Sequence, residues 1–244
     1  MDSSILALKY HEALVELDPS FFDPKHPESK KDLGLSGFFL PSIPEGYSRA
    51  KNRIMVVGRE TRGWYVLKEE AYVDLDDYIS KAMKVHKKFF SDELSASNTK
   101  GNAFLNFIRK VAYKSGSEGL LYSNLLCCSW NKSFAEKYTG FNLIKDVSEK
   151  ILKAQIELLK PDVIIFANGV TTNNYRNEFF PVRGEAKVCY NGHDFSDQGI
   201  PKNQLWGFDL KVGIRCYRIH HPSCYSKEAS LARDFVVNLL PDRT

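Results

Sequence analysis

The feature that most constrains the fold is a set of short, continuous apolar runs that alternate with amphipathic segments of helical length. Two of these runs, RIMVVG at 53–58 and DVIIFANG at 162–169, have the length and composition of strands that are buried on both faces. Strands that alternate with helices predict right-handed crossover connections and a mainly parallel sheet. The sequence therefore predicts an α/β protein with three layers, in which helices cover a mainly parallel central sheet.

The remaining runs extend this α/β pattern. Further strands are predicted at 119–130, 187–191 (KVCYN) and 210–219 (LKVGIRCYRI). An amphipathic helix is predicted at the N-terminus, and four more follow at 67–94, 102–114, 143–160 and 227–239. The last of these comes directly after the final predicted strand.

The length of 244 residues allows one large domain or two small ones, and a single domain over residues 1–244 is predicted because no segment has the character of a linker to a second domain. The chain is 43% hydrophobic and 26% charged, which is ordinary for a folded globular protein. Residues 18–50 are rich in proline, glycine and charge, and this predicts an irregular arm after the N-terminal helix. We expect the paired phenylalanines of the arm to pack it, together with the helix, on the core of the domain.

Several features bear on location and partners. No apolar run approaches the roughly 20 residues of a membrane span, and the segment MDSSILALKYHEALVEL lacks the parts of a signal peptide. The five cysteines include no C-x-x-C pair, which predicts reduced, buried or half-buried thiols and neither a zinc nor an iron–sulfur site. We expect a cytoplasmic protein that does not associate with a membrane and that contains no metal or cofactor. A formal net charge of +4 permits a polyanionic partner without requiring one.

Polar residues lie within or directly after four of the predicted strands. This position matters because ligands of α/β sheets bind at the carboxyl ends of strands. GRETRGW at 58–64 supplies a carboxylate, two arginines and an indole, and Asn124 lies inside an apolar run. Asn168-Gly169 ends another strand, and His221-Pro222-Ser223 precedes the last helix. Each also has an ordinary structural interpretation: a salt-bridged loop, an amide bonded to a nearby loop, a common strand exit and a satisfied histidine.

In this order and spacing, roughly residues 50–240 resemble the uracil-DNA glycosylase superfamily. Gly58-Arg59-Glu60 is similar to the first motif of that superfamily, and the segment that ends in Asn124 is similar to the second. His221-Pro222-Ser223 closely resembles the third motif. The chain departs from the pattern at Thr61, where the first motif has proline. It also carries glutamate at position 60, one methylene longer than the aspartate of the most active class.

The resemblance implies a DNA glycosylase that hydrolyses the N-glycosidic bond of uracil or a related damaged base. The carboxylate of Glu60 would stabilise the oxocarbenium-like transition state or orient water, and His221 would stabilise the departing base anion. The amide of Asn124 would match the N3–H and O4 edge of uracil. The other base-binding residues that the resemblance implies are Gly58, Trp64 and Tyr65.

The resemblance also implies DNA as the partner, single- or double-stranded, and a monomeric protein. The target base has to leave the stack, and Tyr225 lies where the family places the wedge that fills the vacated space. Hydroxyl and backbone N–H groups that open the last helix would hold a phosphate. The residues implied in DNA binding are Arg62, Asn168, Ser223, Tyr225 and Ser226.

Two other functions remain open. The altered first motif and the modest charge motivate a catalytically weak or inactive fold that binds nucleic acid or nucleotides. The arm at 18–50 motivates a hydrolase of free nucleosides or another small molecule, with the arm over its pocket. A kinase or a dehydrogenase is disfavoured, because no Walker-type or G-x-G-x-x-G loop follows a predicted strand.

Overall fold

The structure is a computed structural model that describes residues 2–31, 33–68, 70–211 and 213–243. Within these residues it contains six α-helices and six β-strands. The helices are α1 (Ser3–Leu14), α2 (Leu75–Ser95), α3 (Ala103–Ser115), α4 (Phe141–Leu159), α5 (Asn173–Phe179) and α6 (Lys227–Leu239). The strands are β1 (Ile54–Gly58), β2 (Leu120–Asn124), β3 (Val163–Phe166), β4 (Cys189–Asp194), β5 (Leu205–Leu210) and β6 (Arg215–Ile219).

All six strands belong to one sheet, in the order β2-β1-β3-β6-β5-β4. The strands β1, β3 and β6 run parallel, with Ile54 aligned to Val163 and Val163 aligned to Arg215. Strands β5 and β4 continue the sheet in antiparallel pairing. The predicted α/β class is confirmed, and the predicted parallel pairing holds at the centre of the sheet. The antiparallel edge was not predicted.

Local sequence explains where helix α6 begins and where helix α4 ends. At the start of α6, the side chain of Ser226 accepts a hydrogen bond from the N–H of Ala229 (3.1 Å), which is the usual N-cap arrangement. After the end of α4, Lys160 has a φ of 45° and Pro161 prevents the helix from continuing. The bounds predicted for α6 are confirmed.

Two predicted strands are shorter than the sequence indicated. Strand β2 ends at Asn124, so the prediction was wrong for residues 125–130, which are mostly buried but irregular. An apolar run reports burial and does not by itself report a pleated backbone. The run at 210–219 is divided by a turn, because the N–H of Gly213 bonds to the carbonyl of Leu210 (2.8 Å) with a φ of 81° at the glycine.

Other elements were missed or began elsewhere. The short helix α5 and the greater part of β5 were not predicted. Helix α2 begins at Leu75 and not at residue 67, since the carboxylate of Asp74 accepts a hydrogen bond from the N–H of Asp77 (2.8 Å) and caps the first turn.

The chain divides into two compact units. The first unit comprises Met1–Ile43, Glu60–Phe90 and Ser123–Leu159, and the second comprises Pro44–Arg59, Ser91–Tyr122 and Lys160–Thr244. Within the first unit, α1 packs against α4. Within the second, α3 and α6 pack against each other and against β1 and β6 respectively. The assignment of residues 1–244 to a single domain stays a prediction.

Aromatic residues anchor the arm within the first unit. Phe22 lies with its ring centroid 5.0 Å from that of Tyr78, and Phe39 lies 4.8 Å from Trp64, both edge-on. Phe38 is also buried. Burial of these three aromatic side chains contributes part of the free energy that offsets the conformational entropy lost when an irregular segment is fixed.

The sequence also predicted that the cysteines are reduced thiols that are buried or half-buried. Four of the five cysteines are buried, Cys224 is half-buried, and all five are free thiols. None of the helices among the described residues combines the length and the apolar character needed to cross a membrane.

Candidate functional site

The predicted site residues fall into both units, and each set is described within its own unit. The first unit contains Glu60, Arg62, Trp64, Tyr65 and Asn124. The second unit contains Gly58, Asn168, His221, Ser223, Tyr225 and Ser226.

Glu60 follows β1 by two residues and has a buried carboxylate. Its side chain is only 2% exposed, whereas that of Arg62 is 68% exposed. The Nε of Arg62 lies 3.9 Å from Oε1 of Glu60, at the long end of the range for an ion pair. A buried carboxylate is costly unless charges or hydrogen bonds compensate it, so the neighbouring guanidinium contributes to holding this group in the interior.

Asn124 is the last residue of β2 and is 5% exposed. Its Nδ2 donates a hydrogen bond to Oγ1 of Thr61 (2.5 Å), while its Oδ1 is buried without a hydrogen-bond partner among the described residues. Exchanging the amide oxygen and nitrogen only transfers the unpaired state to the nitrogen, because a threonine hydroxyl both donates and accepts. In either orientation, half of a buried amide is left for another partner.

The end of β2 is positioned by a chain of buried polar side chains in the first unit. The hydroxyl of Ser123 donates to Oε1 of Gln155 (2.6 Å), whose Nε2 donates to the hydroxyl of Tyr10 (3.1 Å). Tyr10 in turn donates to the carbonyl of Pro41 (2.8 Å). A fully connected buried network fixes side-chain geometry, so the residue before Asn124 is held against α4 and α1.

The two aromatic residues predicted to bind a base, Trp64 and Tyr65, differ in exposure. Trp64 is 6% exposed, lies edge-on to Phe39 and Phe89, and its buried Nε1 has no hydrogen-bond partner among the described residues. Tyr65, the next residue, is 62% exposed. Of the two rings proposed to stack on a base, only that of Tyr65 lies largely at the surface of the unit.

His221 is the central residue of the set in the second unit. Its ring stacks on Phe104, with centroids 5.5 Å apart and an interplanar angle of 17°. A Cβ added to Gly169 would lie 3.2 Å from the Cβ of His221, so the backbone after β3 approaches the histidine closely. Gly169 has a φ of 84°, which other residues rarely adopt, and this makes glycine the suitable residue at that approach.

The hydrogen bonds of His221 define its neutral tautomer. The Nδ1 atom lies 2.7 Å from the hydroxyl oxygen of Ser223 and accepts a 3.3 Å hydrogen bond from the Ser223 backbone N–H. A backbone N–H only donates, so Nδ1 is the acceptor and the proton of the neutral ring is on Nε2. The His221-Pro222-Ser223 corner therefore orients a ring N–H donor at Nε2.

The other predicted residues of this unit have distinct environments. Asn168 is completely buried, donates to Oγ1 of Thr172 (2.7 Å), and has an Oδ1 without a partner among the described residues. Tyr225 is 75% exposed. Ser226 caps α6, and Gly58 is the buried last residue of β1.

Sequence reasoning missed a group of buried cations in the second unit. Arg218 on β6 is 6% exposed and donates to the carbonyl of Lys202 (2.7 Å), and burial together with nearby Arg176 lowers its pKa to about 10. Burial, followed by the charges of Arg218 and Arg233, lowers the pKa of His220 below its ordinary value. The signal in the sequence was a charged residue inside the apolar run CYRI.

Thr61 was noted in the sequence only as a departure from a motif, yet it brings two predicted site residues together. It follows Glu60 in the chain and bonds to Asn124. Within the described residues, no group of three histidine, cysteine or acidic side chains is arranged to hold a metal ion. The sequence matches no protein-family model and no curated protein.

Proposed function

We propose that the chain is a DNA glycosylase that hydrolyses the N-glycosidic bond of uracil or a related damaged base. The observation that carries the proposal is the hydrogen bond between Asn124 and Thr61, because it joins a buried amide to the residue that follows Glu60. The α/β class and the parallel centre of the sheet are compatible with the three-layer, uracil-DNA glycosylase-like fold that the proposal includes. A monomeric, cytoplasmic protein that acts without metal or cofactor is also part of the proposal.

The hydrogen-bonding capacity that remains on Asn124 suits uracil. One of the two hydrogens on Nδ2 is used by Thr61, which leaves one hydrogen and the unpaired Oδ1. A donor and an acceptor side by side match the O4 and N3–H of uracil. Cytosine presents the opposite polarity at these positions, and an unpaired buried amide would then disfavour it.

Glu60 is the candidate for stabilising the positive charge that develops on the sugar. Its side chain is 2% exposed, and charges interact more strongly where water is excluded. The same carboxylate is of the type that orients or activates water in glycoside hydrolysis. In this proposal Glu60 stabilises the oxocarbenium-like transition state of base release.

His221 is the candidate for stabilising the departing base. A neutral imidazole protonated at Nε2 donates a hydrogen bond to a carbonyl oxygen, on which negative charge accumulates as the base leaves. The contacts of Nδ1 with Ser223 support this tautomer. Exposed Tyr65, Tyr225 and Arg62 are candidates for contacts with bases and phosphates.

A second candidate function is a catalytically weak or inactive fold that binds nucleic acid or nucleotides. The environment of Glu60 favours it, because a carboxylate this deeply buried and paired with Arg62 is poorly accessible to a water nucleophile. The two functions share the recognition residues and differ in whether an abasic product forms.

The test is alkaline cleavage of end-labelled oligonucleotides that contain one uracil, in single strands and in A·U and G·U duplexes. The wild type is compared with Glu60→Gln and His221→Ala, and with Glu16→Gln, which makes the same chemical change at an exposed position. We expect cleavage at uracil by the wild type and by Glu16→Gln, with losses on the order of 100-fold for the two site variants.

Circular dichroism of each variant is the control for correct folding. Full activity in both site variants would show that the assigned roles are wrong. Salt-dependent binding of the oligonucleotide without an abasic product would transfer the proposal to the second candidate function.

A further inference from the structure

A cavity of about 350 Å³ lies entirely within the first unit; Tyr65 lines it, whereas Glu60 and Asn124 do not. Most of its wall is formed by Lys31 together with residues 34–37, and by two further segments, 63–68 and 129–132. Backbone hydrogen bonds hold them together: the N–H of Ser36 donates to the carbonyl of Ser129 (2.9 Å), and that of Gly37 donates to the carbonyl of Trp64 (2.6 Å). We call it the lysine cavity, after Lys31, Lys68 and Lys132 in its wall.

The charge of the lysine cavity is positive. Lys31, Lys68 and Lys132 line it, and none of the described lining residues is acidic. Among the described residues, the ammonium group of Lys31 donates one hydrogen bond, to the carbonyl of Ser36 (2.7 Å), and it lies 6.0 Å from the centre of the Phe38 ring. An ammonium group has three N–H donors, so this environment satisfies only part of its capacity.

Burial disfavours the charged form of the Lys31 ammonium group. Desolvation lowers the pKa of Lys31 to about 8, and the nearby Cys128 and Cys127 oppose this shift only in part. An anion beside the ammonium would favour its charged form and offset the desolvation cost.

Unusual backbone conformations cluster in the same wall. Lys68, Asn131 and Lys132 have φ values of 51°, 47° and 58°, and they are three of the five described non-glycine residues with positive φ. Such conformations persist where surrounding structure enforces them, and they are concentrated at binding sites. Ser129, which also lines the cavity, has a buried hydroxyl without a hydrogen-bond partner among the described residues.

We infer that the lysine cavity binds a phosphate-bearing anion. Lysine side chains bind phosphate as point charges, and the unsatisfied donors of Lys31 and Ser129 supply hydrogen bonds to its oxygens. Phe22 and Tyr78 add aromatic surface for an organic group attached to the phosphate. The inference goes beyond the proposed glycosylase activity, since the cavity would bind its ligand whether or not a base is released.

The test is calorimetric titration at low salt with two separate ligands, inorganic phosphate and an octathymidylate without terminal phosphates. The variants are Lys31→Met, Lys68→Met and, as the control, Lys150→Met, which removes an exposed lysine of α4 that does not line the cavity. We expect at least one ligand to bind to the wild type and to Lys150→Met, with affinity lower by roughly tenfold or more in Lys31→Met. A smaller loss is expected in Lys68→Met, which also tests the cavity if Lys31→Met is poorly folded.

The two ligands distinguish the sources of the phosphate. Competition between inorganic phosphate and the oligonucleotide would identify a strand backbone as the ligand, and binding of inorganic phosphate alone would identify a free anion. Affinity that is unchanged in both Lys31→Met and Lys68→Met, or no binding of either ligand to the wild type, would overturn the inference. Loss of base release in Glu60→Gln with phosphate binding intact would separate this cavity from the proposed active site.

Discussion

The Nδ2 of Asn124 donates a hydrogen bond to Oγ1 of Thr61 over 2.5 Å, although the two residues are 63 positions apart in the chain. The threonine stands where the motif that this segment resembles has proline, a residue without a side-chain donor or acceptor. The threonine hydroxyl accepts one hydrogen bond from the Asn124 amide and therefore restricts the rotation of that amide. This gives the departure from the motif a structural role.

Replacement of Thr61 by valine should release the Asn124 amide. The valine is similar in shape but has no hydroxyl, so a buried Nδ2 loses its partner, and the expected cost is about 1 to 3 kcal/mol of unfolding free energy. Thr61→Ser keeps the hydroxyl and should stay much closer to the wild type. Urea unfolding of the three proteins measures the difference, and equal stability of the valine and serine variants would contradict it.

The tautomer of His221 is directly measurable. Nitrogen-15 NMR of the neutral ring should find the proton on Nε2, because the Ser223 backbone N–H donates to Nδ1. His193 is an internal control with the opposite expectation, since its Nδ1 lies 3.1 Å from the carbonyl of Asn191 and has to donate. A proton on Nδ1 of His221 would remove the argument for its role as a donor to the base.

Lys31 should make folding stability depend on pH on the alkaline side. Its pKa falls from an ordinary value of 10.5 to about 8 on folding, so between these values the unfolded chain binds more protons than the folded one. Stability contributed by this group should therefore rise as the pH increases from about 8 to about 10.5. Urea unfolding at pH 7.5 and pH 10 should find wild type gaining stability relative to Lys31→Met, and an equal response in both proteins would refute the shift.

The buried chain of hydrogen bonds through Tyr10 should contribute to stability. Tyr10→Phe leaves the carbonyl of Pro41 and the Nε2 of Gln155 without this partner, and the expected loss is about 1 to 3 kcal/mol of unfolding free energy. Tyr113→Phe is the matched control, because Tyr113 is 75% exposed and keeps its ring. A similar loss in both variants would show that the network contributes nothing specific.

Sequence patterns predicted the elements whose signals are local. Strand β1 is a continuous apolar run and is buried along its whole length, as both-face burial requires. Helix α6 is defined by the serine cap at its start and by Pro241 soon after its end. The predictions failed where a residue is buried without adopting a strand conformation. Leu125 and Leu126 are examples, because they are fully buried but lie outside the strand.

The site was harder to predict because its determining contacts are long-range. The sequence placed Asn124 inside a longer predicted strand, whereas it is the last residue of β2, and its bond to Thr61 depends on how separate segments pack. The lysine cavity had no signal at all, since Lys31, Lys68 and Lys132 come from three segments without a shared motif. The assignment of roles to Glu60 and His221 stays a prediction.

The division of each unit into three chain segments has a practical consequence for mapping activity. A chain cut after Leu159 would lose β3 and β6 but keep β1, whose parallel partner is β3. The edge of β1 that pairs with β3 would then be exposed, and an exposed apolar strand edge promotes aggregation. A series of deletions would therefore report the solubility of strands that have lost their partners. Single substitutions in the intact chain are the appropriate means of identifying the residues that are needed for activity.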